Sequence, residues 1–359
     1  FQLQDTLTTR IVSSLKLPLS ASDRSALDRQ APANADAYAL YLRANELAND
    51  PTRWTAAQDL YEQSLALDPR YAPAWARLGR TRRLLAKWGG RAGLGLLPQA
   101  ETAFRRALDL DPDLSIAYDQ AAYVDAELGR AARAVERLLV QAQRRPSDAG
   151  ILAGLVTTCR YAGLLDASRA AHERAVAIDP RQITSVAWTY FLRGDYTRAI
   201  EADRGTPAYC ALLSKLFNGT IGPEDMLAVE RETPHQAAQM AIRSYRLSFA
   251  GDADATLRQL DELRASGFDD PEGWYLYACC LARINARGGA LKLLSQAIDG
   301  GYGCHEVLTS QPLWAPFRGT AEFEALVDRS AALVADAGAR FSANHGAAVL
   351  ALSLGPAPA

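Results

Sequence analysis

The chain has 359 residues, with 39 basic and 41 acidic side chains and a formal net charge of −2. That length suits two or three domains or one long repeat array. So even a charge balance supplies no global field to draw in nucleic acid or an anionic membrane surface, and no apolar run approaches the ~20 residues that span a bilayer. The cysteines are Cys159, Cys210, Cys279, Cys280 and Cys304, an odd set without zinc or disulfide spacing. They point to a reducing compartment and a cytoplasmic location. The basic residues are almost all Arg, with Lys only at Lys16, Lys87, Lys215 and Lys292. The sequence begins at Phe1 with no signal peptide in view, and reads as part of a longer protein.

Residues 1–34 open with FQLQDTLTTRIVSSLKLPL, which sets Phe1, Leu3, Leu7, Ile11 and Leu15 on one helical face. We read them as a helix and linker left from a preceding domain. Residues 35–182 then repeat. Each of LALDP (65–69), LDLDP (108–112) and VAIDP (176–180) closes a run of helix formers with Asp-Pro. Proline has no amide donor and pushes the residue before it out of helical geometry, so these sites end helices. Pro73 stands near the start of the next helix, where the missing donor costs nothing.

Pro112, Pro146 and Pro180 follow one another at intervals of 34 residues, whereas Pro69 and Pro112 are 43 apart. A fixed period of that size marks helix hairpins stacked so that each buries the apolar face of its neighbour. Small residues should lie where helices cross and large ones should fill the gaps. Four units satisfy this, among them Tyr41, Ala57, Tyr61; Trp75, Leu78, Gly79, Ala100, Phe104, Ala107; Tyr118, Ala121, Ala134, Leu138; and Leu152, Leu155, Ala175. The extra residues of the second unit fall in KWGGRAGLGLLPQ (87–99), expected to be a long loop between two helices. It lacks the Gly-Lys-Ser/Thr ending of a phosphate-binding loop.

Residues 183–234 lose the pattern and form an irregular helical spacer. Over 235–302 the period returns, with Gly267-Phe268 and Gly301-Tyr302 again 34 apart, giving two further hairpins that include Trp274, Tyr277, Ala278, Ala290, Leu294 and Ala297. A turn and a closing helix capped by Thr320 occupy 303–343, and 344–359 reads as a frayed tail. The fold class expected is therefore all-α: an α-solenoid of antiparallel hairpins with an irregular middle.

The pattern of aromatic, Leu, Gly, then Ala, aromatic, Ala, Pro resembles the tetratricopeptide repeat over about Ala35 to Tyr302. More narrowly, FQLQDTLTTRIVSSL resembles the last helix of a TolB-like amino-terminal-type domain. YALYLRANELA, YAPAWARLGR and LTSQPLWAPFRGTAEFEALV resemble the array and terminator that follow it. That order is similar to the C-terminal half of bacterial eukaryotic-like serine/threonine kinases and of some class III nucleotide cyclases and transcription regulators. The resemblance implies a right-handed superhelix and a docking or sensory role in a signalling protein.

No constellation for chemistry stands out. GTPAY (205–209) looks like the end of a kinase activation segment, but the Gly-rich loop, strand lysine, His-Arg-Asp and Asp-Phe-Gly that a kinase needs are absent from the sequence. His172, His235, His305 and His345 share no ligand spacing. His172 takes the aromatic packing slot of a second helix, and Cys159 a packing slot on a first helix. Cys279-Cys280 should set one sulfur inward and one sideways. Asn218-Gly219-Thr220 is a glycan acceptor only in a secreted chain, against which the cysteines speak. The sequence thus points to no catalytic, cofactor or metal residue.

In tetratricopeptide arrays the first helices line the concave face. Carried over in register, that face offers Glu46, Asn49, Arg80, Arg83, Asp119, Tyr123, Thr157, Arg160 and Phe191 as partner-binding residues. Leu42 and Glu46 stand where chaperone-tail clamps carry Lys and Asn, so that specificity is not expected. The arginines fit a protein or peptide segment with an acidic and an apolar side chain. Alternatively they pair with Glu46, Asp119 and Asp125 on a solvated face. Nucleic acid and membrane partners are not expected, and self-association through an array end is compatible. Two other functions stay open: an enzyme site in the irregular C-terminal half, near Cys304-His305 and Trp314, or an RNA-binding helical repeat.

Overall fold

A computed structural model describes residues 33–204 and 208–352. The expected N-terminal helix, residues 205–207 of GTPAY and the last residues of the tail lie outside them. Among the described residues all regular structure is helical, and the chain divides into two compact units, 33–85 with 95–117 and 86–94 with 118–352.

The first unit contains α1 (Ala35–Leu47), α2 (Trp54–Leu67), most of α3 (Ala72–Trp88) and α4 (Leu96–Leu110). Asn34 caps α1 by accepting from the amides of Asp36 and Ala37. The helix-ending prolines act as expected: α2 stops before Asp68-Pro69, and α4 before Asp111-Pro112. Ala44, Ala57, Tyr61, Leu65, Tyr71 and Leu78 form the core. The Ser64 hydroxyl fixes α2 to α1 by donating to the Ala37 carbonyl at 2.7 Å. Gly79 shows why a small residue is needed at a crossing: a Cβ there would stand 2.8 Å from the Phe104 ring.

In the second unit, residues of α5 (Ser115–Glu127) from 118 onward precede α6 (Ala131–Arg144), α7 (Ala149–Tyr161) and α8 (Leu165–Ile178). The irregular stretch forms four short helices: α9 (Val186–Leu192), α10 (Tyr196–Ala202), α11 (Tyr209–Phe217) and α12 (Asp225–Glu232). Long helices return as α13 (Gln236–Phe249), α14 (Ala253–Ala265), α15 (Pro271–Arg283) and α16 (Arg287–Asp299). The chain ends in α17 (His305–Ser310), a 3-10 turn (Pro312–Phe317), α18 (Ala321–Ala343) and the single turn α19 (Gly346–Val349).

One device closes successive helix pairs. Gly129, Gly163, Gly194, Gly251 and Asn285 each hold a left-handed φ of +55° to +86°. The residue after each donates its amide back to the carbonyl five positions earlier, as Arg130 does to Asp125 and Ala286 to Leu281. This satisfies carbonyls the helix end would leave open.

Three details depart from the sequence reading. In the 87–99 segment, Lys87 and Trp88 end α3, residues 90–93 form a 3-10 turn and Leu96 already begins α4, so the loop is shorter. Thr320 stands at the N-cap of α18 but makes no side-chain cap; its hydroxyl donates to the Phe317 carbonyl, and Glu324 accepts the Gly319 amide instead. The segment after 343 is not frayed as far as it is described. It turns back through α19 on α6, Gln143 donates to the Asn344 carbonyl, and Leu350 is buried.

Candidate functional site

The nine residues proposed for a groove fall in both units. In the first, Glu46 and Asn49 are exposed at the end of α1, Arg80 is half-buried on α3, and Arg83 is buried. In the second, Asp119 and Tyr123 are half-buried on α5, while Thr157 and Arg160 on α7 and Phe191 on α9 are buried. Asp125 takes Arg130 and Arg137 as partners. Arg160, at 1% exposure, pairs with none of the expected acids.

Its partner comes from α15. The Arg160 guanidinium donates through Nε to Glu272 Oε1 at 2.6 Å and through Nη2 to Oε2 at 3.1 Å, the two-pronged geometry that makes Arg–carboxylate pairs strong. Its Nη1 donates to the Ser185 carbonyl at 3.0 Å and hydroxyl at 2.7 Å, and that hydroxyl also meets Thr157 Oγ1 at 2.8 Å. The Tyr302 hydroxyl donates to Glu272 Oε1 at 3.2 Å. Burial works against the guanidinium cation, yet the adjacent carboxylate outweighs it, and Arg160 stays firmly protonated.

A second cluster adjoins the first through Tyr161, the residue after Arg160. The Tyr161 hydroxyl donates to Asp270 Oδ1 at 2.9 Å, and Lys87 Nζ donates to Asp270 Oδ2 at 2.7 Å and to Glu127 Oε1 at 3.4 Å. Burial pushes the Asp270 carboxyl up, but the Lys87 ammonium and the donated hydrogen bonds bring it below its usual value. Beside Lys87, the Trp88 ring packs 5.3 Å from Phe268 and 6.1 Å from Tyr209. Segment 86–94 therefore packs as a strap against α11 and the start of α15.

Backbone joins where side chains leave room. The Gly303 amide donates to the Tyr161 carbonyl at 2.7 Å, and a Cβ on Gly303 would lie 2.7 Å from Ala162. Tyr302 packs edge-on to Tyr161 and tilted on Tyr275, each about 5.3 Å away or less. Helix α15 is buried on every face from Pro271 to Ala282, and Cys279 and Cys280 are both enclosed.

The cysteines are enclosed as well, whereas His172, His235 and His305 are half-buried and His345 is exposed. All five cysteines are free and buried, and burial pushes every thiol up, Cys280 and Cys304 to about 12. They are thiols and not the thiolates that act as nucleophiles. The Cys304 amide and sulfur meet the Ser330 hydroxyl. His172 is half-buried, its Nδ1 2.8 Å from Thr184 Oγ1, and burial lowers its pKa. Phe191 lines a small aromatic hollow with Phe217, Tyr275 and Trp314. Among the described residues no group of three His, Cys, Asp or Glu side chains could hold a metal ion, and no helix is long and apolar enough to cross a membrane.

Lys87, Glu127, Tyr161, Ser185, Asp270, Glu272 and Tyr302 were thus missed in the sequence. One signal was available. GWYLYACCLA (273–282) is apolar on every face of a helix, and such a helix must be covered on all sides. The acids just before it then have to find buried cations. No family model matches the chain, and no curated protein matches it.

Proposed function

We propose that the chain is a non-catalytic interaction module: an α-solenoid of tetratricopeptide-like hairpins, cytoplasmic, and part of a larger bacterial signalling protein. The observation that carries this reading is the hairpin closure recurring at the repeat length. Gly129 and Gly163, and again Gly251 and Asn285, are left-handed residues 34 positions apart. Repeat stacks of this kind serve as extended binding surfaces.

Within the first unit the exposed inner-register side chains are Glu46 and Asn49, with Leu42 44% exposed on the same helix and Arg80 half-buried on α3. Tyr61 donates to Asn45 Oδ1 at 2.7 Å, and its phenol feels the charges of Arg77 and Arg80. Two guanidinium groups near aromatic rings and an exposed leucine suit a segment carrying an acidic and an apolar side chain. The enclosed Thr157, Arg160 and Phe191 do not belong to this surface.

The test is selection of random displayed peptides on the full chain. Enriched peptides should pair Asp or Glu with Leu or an aromatic, and Arg80→Glu should weaken their binding at least tenfold with helix content unchanged. Enriched peptides indifferent to Arg80, Glu46 and Asn49 would overturn the assignment.

A further inference from the structure

Asn218 stands at the C-cap of α11 in an exposed turn. Of the asparagines at 34, 45, 49, 218, 285 and 344, it alone precedes glycine. Its side-chain Oδ1 accepts from the Thr220 amide at 3.0 Å and from the Thr220 hydroxyl at 2.6 Å. This ring folds the side-chain carbonyl back over the Gly219 amide, and the two donors polarise it. Gly219 is left-handed at φ +76° and exposed, and a Cβ built on it would meet nothing beyond its chain neighbours within 4 Å. Its own amide bond, to the Leu216 carbonyl, is long at 3.2 Å.

We propose that Asn218 is a site of spontaneous deamidation. The Gly219 nitrogen attacks Asn218 Cγ and loses its proton to a solvent base. The Cγ–Nδ2 bond breaks, and the nitrogen takes a proton and leaves as ammonia. Water then opens the cyclic imide at either carbonyl, giving aspartate or isoaspartate at 218. No electrons are transferred. The product places a negative charge at the C-terminal end of α11, the unfavourable end of the helix dipole. Isoaspartate also lengthens the backbone there by one carbon. The neighbouring Phe217 packs 5.2 Å from both Phe191 and Phe249, so the change reaches the aromatic cluster around α9 to α13.

The test is prolonged incubation of the full chain at mildly alkaline pH, read by isoelectric focusing and peptide mapping. The expected result is a shift of one negative charge, mapped to Asn218 and absent in Asn218→Gln. Thr220→Val, which removes one polarising donor from an exposed position, should slow it severalfold. The proposal is overturned if Asn218 survives while other asparagines convert, if Thr220→Val converts at the parent rate, or if conversion occurs only in urea.

Discussion

Residues of the same repeat register meet different surroundings: Arg83 of the first unit is buried and Asp119 and Tyr123 of the second are half-buried, and the sharpest contrast is between Glu46 and Asn49 on one side and Thr157 and Arg160 on the other. In the first unit, Glu46, Asn49 and Arg80 are exposed or half-buried. In the second, Thr157 and Arg160 are buried, with a carboxylate from α15 and a serine on the guanidinium and a tyrosine on that carboxylate. Register fixes which way a side chain points from its own helix. Whether it then meets solvent or protein depends on what a later part of the chain brings to it.

The largest effects should come from breaking the sealed pair on one side. Glu272→Ala leaves a buried guanidinium uncompensated and should cost about 3–5 kcal/mol, read from urea unfolding. Replacing both partners by apolar residues, Arg160→Met with Glu272→Leu, should recover most of that loss. If the double replacement were as damaging as the single one, packing and not charge would hold α15 in place. In the first unit the comparable loss is aromatic. Phe104→Ala should cost about 3–5 kcal/mol, and a near-unchanged melting temperature would show that Phe104 is not the contact against which Gly79 is kept small.

A smaller effect is expected at the strap. Lys87→Met removes the charge beside Asp270 and Glu127 and should cost about 1–3 kcal/mol. Asp270 also sharpens the comparison through pH. Its folded pKa lies below its unfolded value, so its contribution is fully present above about pH 4 and is lost as the pH falls through the folded value. Asp270→Asn should therefore flatten the acid limb of stability against pH; an unaltered limb would place the acid sensitivity elsewhere. The smallest effect belongs to the first unit's exposed face, where Glu46→Ala should stay within about 0.5 kcal/mol of the parent in urea unfolding.

Much of the fold could be read from local chemistry. Asp68-Pro69 and Asp111-Pro112 stop helices by removing donors, and Ala57, Tyr61, Ala100, Phe104, Leu138 and Ala175 are buried as their spacing required. The site was less legible for a physical reason. Arg160 and Glu272 are 112 residues apart and Lys87 and Asp270 183 apart, and no periodicity within one helix encodes such a meeting. Leu350 escaped for a related reason: one buried side chain at the end of a small-residue stretch has no period to announce it.

The most direct measurement is a double-mutant cycle on Arg160→Ala and Glu272→Ala by urea unfolding. If α15 seals the inner face of α7, the two single losses should be large and the double loss well below their sum, with a coupling on the order of 2–3 kcal/mol. Losses that simply add, with coupling inside about 0.5 kcal/mol, would mean that the pair is not formed and that Arg160 remains open to a partner.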